Sequence, residues 1–84
     1  MAQLTLNVQI TSPEKLIWEG KALSVSSVNS EGPFDILPKH ANFITAVMDK
    51  PIVIRTPDKK KTEYTFPRSV IYMHGDEVSI YTQL

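Results

Sequence analysis

Turn-forming residues recur about every 8–12 positions along this chain, and between them apolar side chains alternate with polar ones. Successive side chains leave a strand on opposite faces, so alternation of period two is the mark of a half-buried strand. In the first run Leu4, Leu6, Val8 and Ile10 fall on one face, and Thr5, Asn7 and Gln9 on the other. Thr11-Ser12-Pro13-Glu14 ends it as a turn, with Pro13 fixing the corner. The chain is extended again from Lys15 to Glu19, with Leu16 and Trp18 on one face and Ile17 on the other. Trp18 reads as a core anchor, and a surface recognition role is the alternative. Gly20 interrupts the pattern, and the next strand is expected over roughly residues 21–28. Its serines suit a sheet face that meets water or another subunit.

Asn29-Ser30-Glu31-Gly32 is a turn cluster. Asn42 to Met48 reads as a short strand or a single helical turn, and β-branching at Ile44, Thr45 and Val47 favours the strand. Ile52 to Thr56 is a further strand, followed by a turn at Pro57-Asp58-Lys59-Lys60. Thr62 to Phe66 returns with Tyr64 and Phe66 on one face. Val70 to Met73 is apolar on both faces, which predicts a central strand or one covered on both sides. Gly75-Asp76 has glycine first, as a type II′ hairpin turn wants, and Val78, Ile80 and Thr82 close the domain. No stretch makes a convincing helix. The expected fold is all-β, a small β-sandwich or barrel of about eight to ten short, mostly antiparallel strands. At 84 residues it is a single domain near the small end of what folds unaided.

The least strand-like segment is Glu31-Gly32-Pro33-Phe34-Asp35-Ile36-Leu37-Pro38-Lys39-His40-Ala41. Pro33 and Pro38 fix φ and remove two backbone donors, which a central strand does not accept. Phe34, Ile36 and Leu37 are large and apolar, which a solvated loop does not need. The expectation is a stiff, irregular segment that Phe34, Ile36 and Leu37 anchor to a sheet, with Glu31, Asp35, Lys39 and His40 as its charged rim.

Composition narrows the function classes. There is no cysteine, so disulfides and thiolate metal sites are excluded. Nine basic residues balance nine acidic ones, whereas a nucleic-acid binder usually carries a basic excess. No apolar run approaches the roughly 18 residues of a membrane span, and no basic region followed by an apolar core marks a secretory signal. His40 with Asp35 and Glu31 is a thin basis for acid–base or metal chemistry, and a hydrogen-bonding loop residue is the plainer reading of His40. His74 reads as a hairpin-end surface residue. Lys59-Lys60-Lys61 suggests a phosphate contact or, more plainly, a solvated feature that resists aggregation. No Gly-rich phosphate loop and no Gly-x-Ser-x-Gly nucleophile elbow is present.

Thr11-Ser12-Pro13-Glu14-Lys15, then Trp18-Glu19-Gly20, Ser30-Glu31-Gly32 and Phe34-Asp35-Ile36-Leu37-Pro38-Lys39-His40-Ala41, together resemble the N-terminal domain of the epsilon subunit of F-type ATP synthases, the equivalent of mitochondrial delta. The resemblance covers roughly residues 3 to 82, and its Ile-Leu-Pro-x-His-Ala core is its most specific part. It implies a β-sandwich at the foot of a rotating central stalk, with one face on the gamma subunit and the proline–histidine loop near the polar loops of the membrane c-ring. Glu31, Asp35, Lys39 and His40 are then expected on the c-ring side, and Ala41, Asn42 and Phe43 among the partner contacts. The resemblance implies no chemistry, no cofactor, no metal and no nucleic acid. It implies a peripheral place on the cytoplasmic face of a bacterial inner membrane, or the equivalent organellar side.

Asp35 and Lys39 stand where the family carries glycines, Pro33 where it is commonly polar, and Val70 where glycine is usual. The family continues into a helical hairpin. This chain ends at Leu84, so residues 1–84 are expected to be one sandwich without the hairpin, as a truncated or a natural short form. The inhibitory and nucleotide-sensing properties of the hairpin are not carried over. The competing function class is a small β-barrel that binds single-stranded nucleic acid or another ligand, with Trp18, Tyr72 and Tyr81 as stacking candidates.

Overall fold

The alternation at Leu6, Val8 and Ile10 becomes strand β1 (Leu6–Thr11), and all three side chains are buried. Eight more strands follow in the computed structural model, which describes residues 4–83. They are β2 (Leu16–Ala22), β3 (Ser24–Asn29), β4 (Gly32–Ile36), β5 (Phe43–Val47), β6 (Pro51–Arg55), β7 (Lys61–Thr65), β8 (Ser69–His74) and β9 (Glu77–Thr82). A five-stranded sheet has the order β2-β1-β9-β8-β5, and a four-stranded sheet the order β4-β3-β6-β7. The all-β sandwich expected from the turn spacing is therefore the fold. Strand pairs are antiparallel except β1 with β9. No helix of the described residues is long and apolar enough to cross a membrane.

The two sheets close over a core that includes Val25, Ile36, Ile52, Ile54, Ile71, Met73 and Ile80, all fully buried. Burial of one such side chain is worth roughly 1.5–3 kcal/mol. Buried hydroxyls are satisfied by backbone carbonyls: Ser69 Oγ donates to Val47 (3.4 Å), Thr82 Oγ1 to Arg68 (3.1 Å) and Ser27 Oγ to Pro51 (2.8 Å). Ser24 and Ser27 are buried, so β3 does not offer all its serines to water.

Several local expectations change. Leu4 precedes β1 and is 59% exposed, outside the core that its alternation predicts. Leu16 and Trp18 do not share a face. Ile10 lies opposite Trp18 but Thr11 lies opposite Leu16, so Ile17 is an extra residue that reverses the alternation. The strand expected over 21–28 is two strands that part at Leu23. There the chain turns from one sheet to the other, and the Leu23 amide donates to the Arg55 carbonyl (2.6 Å). Gly20 does not interrupt β2. A Cβ there would lie 3.0 Å from Cη2 and Cζ2 of Trp18, so the glycine leaves room for the indole on the inner face. Trp18 is half-buried against the core, as an anchor should be.

The proline-rich segment is more regular than expected. Its first half is β4, an edge strand paired only with β3, and Pro33 is tolerated because its nitrogen has no ladder partner to lose on an edge. At the β8–β9 turn positive φ falls on Gly75 (63°) and not on Asp76, as the glycine-first pattern requires.

The strand directions gather the turns at two ends. One end holds the Leu23 corner, residues 37–42, the β6–β7 turn and the β8–β9 turn. The opposite end holds residues 12–15, the β3–β4 turn, and the connections 48–50 and 66–68. The first end carries Lys21, Lys39, Arg55, Lys59, Lys60 and Lys61 against Asp35, Asp58, Asp76 and Glu77, so a chain of zero net charge is basic at one pole.

Candidate functional site

Pro38 and the residues after it leave β4 and cross to β5, and the crossing is pinned at both sides. The His40 amide donates to the Leu37 carbonyl (3.1 Å), closing a turn in which Lys39 takes φ 66°. That left-handed conformation suits glycine, the residue expected there from the family pattern. The Lys39 amide donates to Asp76 Oδ1 (2.8 Å), and the Gly75 amide donates to Asn42 Oδ1 (3.0 Å). Loop 37–42 and the β8–β9 turn thus hold each other reciprocally. His40 Nδ1 donates to the Ala41 carbonyl (2.7 Å), which places a proton on Nδ1, and its ring meets Phe43 edge-on at 5.7 Å. Phe43 packs in turn on Phe34 at 5.4 Å, joining the edges of the two sheets.

The ten residues singled out in the sequence do not form one surface. Lys39, His40, Ala41, Asn42 and Phe43 are together at the basic pole. Glu31 sits in the β3–β4 turn at the opposite end, its amide held by Asn29 Oδ1 (2.9 Å). The intervening strand, at about 3.3 Å per residue, places it some ~15 Å from the loop. Asp35 points outward from the four-stranded sheet and accepts from Ser26 Oγ (2.5 Å). Strand β4 therefore keeps His40, Asp35 and Glu31 from forming an acid–base or metal cluster. Ile36 is fully buried and Phe34 half-buried, but Leu37 is 52% exposed. Leu37 is not an anchor, because the chain leaves the edge strand one residue before it.

The outer faces of the two sheets differ in kind. The four-stranded sheet presents Asp35, Ser26, Arg55, Glu63 and Lys61, a mixed polar surface. On the five-stranded sheet, cross-strand registers place Ile44 opposite Tyr72, Ala46 opposite Val70, Val70 opposite Tyr81 and Thr11 opposite Leu16. Ile44 (66%), Tyr72 (42%), Tyr81 (46%) and Leu16 (49%) are exposed, and Met48 (57%) extends the corner. Toward the basic pole this face turns polar: Lys21 Nζ donates to Asn7 Oδ1 (3.0 Å), and Asn7 Nδ2 to Glu77 Oε1 (3.2 Å). Strand β8 is central, between β9 and β5, which meets the expectation of a central strand or one covered on both sides; among the described residues it is covered on one face alone. The signal was present in Val70-Ile71-Tyr72-Met73. A strand apolar on both faces beside an open face asks for a cover, and a contiguous apolar patch on a small domain marks an interaction site. Around the edge of β5, Val28, Ala46 and Met48, with Asn29, Ser30 and Lys50, line an open cleft of about 300 Å³.

A family model described as the ATP synthase delta/epsilon chain β-sandwich domain matches residues 5–83. The ATP synthase epsilon chain of Nitratiruptor sp. is 42% identical over 57 residues, which are 68% of this chain and 44% of that one. The epsilon chain of Micrococcus luteus is 42% identical over 53 residues, 63% of this chain and 58% of that one. The chain spans about half the length of the curated relatives it matches. Two solved structures share the fold. A chain in the OSCP, F1 and c-ring assembly of the Euglena gracilis mitochondrial ATP synthase superposes with a TM-score of 0.85 at 15% identity, covering 93% of this chain and 50% of that chain. A chain in the central stalk and c-ring of the Tetrahymena thermophila mitochondrial ATP synthase gives 0.77 at 12% identity, covering 98% and 66%. Since the family model runs from the residue before β1 to the residue after β9, this chain belongs to the ATP synthase delta/epsilon chain β-sandwich domain family.

Proposed function

We propose that the chain is a non-catalytic central-stalk domain of a proton- or sodium-translocating rotary ATP synthase, coupling the gamma subunit to the membrane c-ring. It would act from a peripheral position on the cytoplasmic face of the inner membrane or its organellar equivalent. The observation that carries this reading beyond family membership is the exposed apolar corner of the five-stranded sheet. Leu16, Ile44, Met48, Tyr72 and Tyr81 offer aromatic and aliphatic anchors of the kind that dominate interface energy. Burying a typical ~800 Å² per partner would cover a large share of so small a domain.

Within this proposal the gamma subunit takes the apolar face. Lys39 to Asn42 border that face through β5 and the β8–β9 turn, so they join the same contact. Glu31, at the opposite end, is left for the c-ring side. A body that transmits torque must not deform at its contacts, and the reciprocal lock of loop 37–42 on Gly75 and Asp76 supplies that stiffness. The nucleic-acid alternative is disfavoured. Trp18 faces the core, and Tyr72 and Tyr81 lie on the sheet opposite the one that bears the lysine run.

Calorimetric titration with the cognate gamma subunit tests the reading. Ile44→Asp is expected to weaken binding by at least about tenfold, the scale of an interface anchor, with an unchanged circular dichroism spectrum. Glu63→Ala on the other sheet is expected to leave binding unchanged. Wild-type affinity in the Ile44→Asp variant would remove the proposed face.

A further inference from the structure

Three consecutive lysines on an extended strand point to alternate sides, yet Lys59, Lys60 and Lys61 line one basin. The cause is the backbone: Lys59 takes φ 66° at the β6–β7 turn, held by bonds from the Lys59 amide to the Thr56 carbonyl (3.1 Å) and from the Thr56 amide to the Lys60 carbonyl (3.0 Å). Arg55 enters the same basin from β6, Leu23 and Thr56 complete the lining, and its volume is about 190 Å³. Arg55 and Lys61 are direct cross-strand partners, and like charges directly opposite one another destabilise a sheet. Among the described residues the basin has one ion pair, Lys60 with Asp58 at 4.0 Å between exposed side chains; Arg55 Nη1 donates to Ser26 Oγ (3.4 Å), the hydroxyl bonded to Asp35, and Arg55, Lys59 and Lys61 form no direct ion pair. Lysines of the edge strand and its turn thus line the same basin as an arginine of the neighbouring inner strand.

We propose that this basin binds a phosphoryl anion. A guanidinium offers a planar fork to phosphate oxygens and ammonium groups add point charge, so a bound phosphoryl group would offset the repulsion between Arg55 and Lys61. The same chemistry is met by a soluble phosphate compound and by an anionic lipid headgroup. The assignment does not depend on the stalk role, since the basin lies on the four-stranded sheet, away from the apolar face.

The test follows amide resonances of the full chain during titration with pyrophosphate at constant ionic strength. Saturable shifts are expected at Leu23, Arg55 and Lys59 to Lys61. Arg55→Gln or Lys61→Gln is expected to weaken binding by about tenfold, as loss of a charge-assisted bond does. Lys50→Gln, at the opposite end, removes the same charge and is expected to change nothing. Pyrophosphate should raise the melting temperature of the wild-type chain. Lys61→Gln should melt higher than wild type in plain buffer and gain nothing from pyrophosphate. Co-sedimentation with phosphatidylglycerol vesicles, against phosphatidylcholine vesicles, separates the sources: wild-type binding lost in Lys61→Gln assigns a headgroup, and pyrophosphate binding without vesicle binding assigns a soluble phosphate. Unsaturable shifts without vesicle binding, or equal weakening by Lys50→Gln, would overturn the proposal.

Discussion

Ile36 and Leu37 are neighbours of similar size and hydrophobicity, and the fold gives them opposite fates. Ile36 is the last residue of β4 and has no exposed surface; Leu37 is 52% exposed. Ile36→Ala removes most of a side chain enclosed by the core, and such truncations cost about 2–5 kcal/mol, the loss of transfer energy plus the cavity left behind. Ile36 lies near an edge, where the surroundings can partly close, so ~3 kcal/mol is the expected loss. Leu37→Ala removes atoms that water already reaches and should stay within about 0.5 kcal/mol. A domain of this length carries total stability of roughly 4–13 kcal/mol at the usual per-residue value, so the first change is a large fraction and the second is not. With a urea dependence near ~1 kcal/mol/M, the Ile36→Ala midpoint falls by about 3 M and the Leu37→Ala midpoint barely moves. Trp18, the single tryptophan, is on the other sheet and reports global unfolding through its fluorescence. A Leu37→Ala loss as large as that of Ile36→Ala would refute the placement of the β4 end and of the loop that follows.

Two further outcomes are expected. Gly20→Val should push the Trp18 indole from its seat, shifting its emission to longer wavelength and costing about 1–3 kcal/mol, the usual scale of overpacking; an unchanged emission maximum in a chain of unchanged stability would contradict the contact. Asp58, whose carboxyl is held below the usual range first by the hydrogen bond from Thr56, then by Lys60, should contribute acid sensitivity of a defined sign. Its folded pKa lies below its unfolded value, so the unfolded chain binds the proton first as pH falls. Its stabilisation is therefore present above the ordinary carboxylate pKa, and is lost below about pH 4 as pH falls through the folded value. Urea titrations between roughly pH 3 and 6 should show a shallower acid slope in Asp58→Asn than in wild type, and identical slopes would remove the assignment.

What could be read without coordinates was local. Period-two alternation and turn chemistry located eight of the nine strands, all but β4, together with the II′ turn at Gly75 and the sandwich class, because side-chain direction in a strand and φ at a turn depend on a few adjacent residues. The residues from Thr11 to Ala41 also carried the family resemblance, because that pattern is written in contiguous motifs. Pairing was another matter. Leu16 and Trp18 parted company because a bulge at Ile17 is defined only by the strand opposite. Leu23 became a corner because its amide found Arg55, 32 positions away in a different sheet. Glu31 and His40, nine residues apart, were sent to opposite ends because a strand happens to run between them. The apolar face was hidden for the same reason. Ile44, Tyr72, Tyr81 and Leu16 come from four separate runs, and each alone reads as core. Only the sheet order, and the lack of any element of the described residues over that side, turns them into a surface. The basic pole emerged in the same way: a net charge of zero is additive and blind to position, whereas Arg55 and Lys61 face each other only once β6 and β7 have paired.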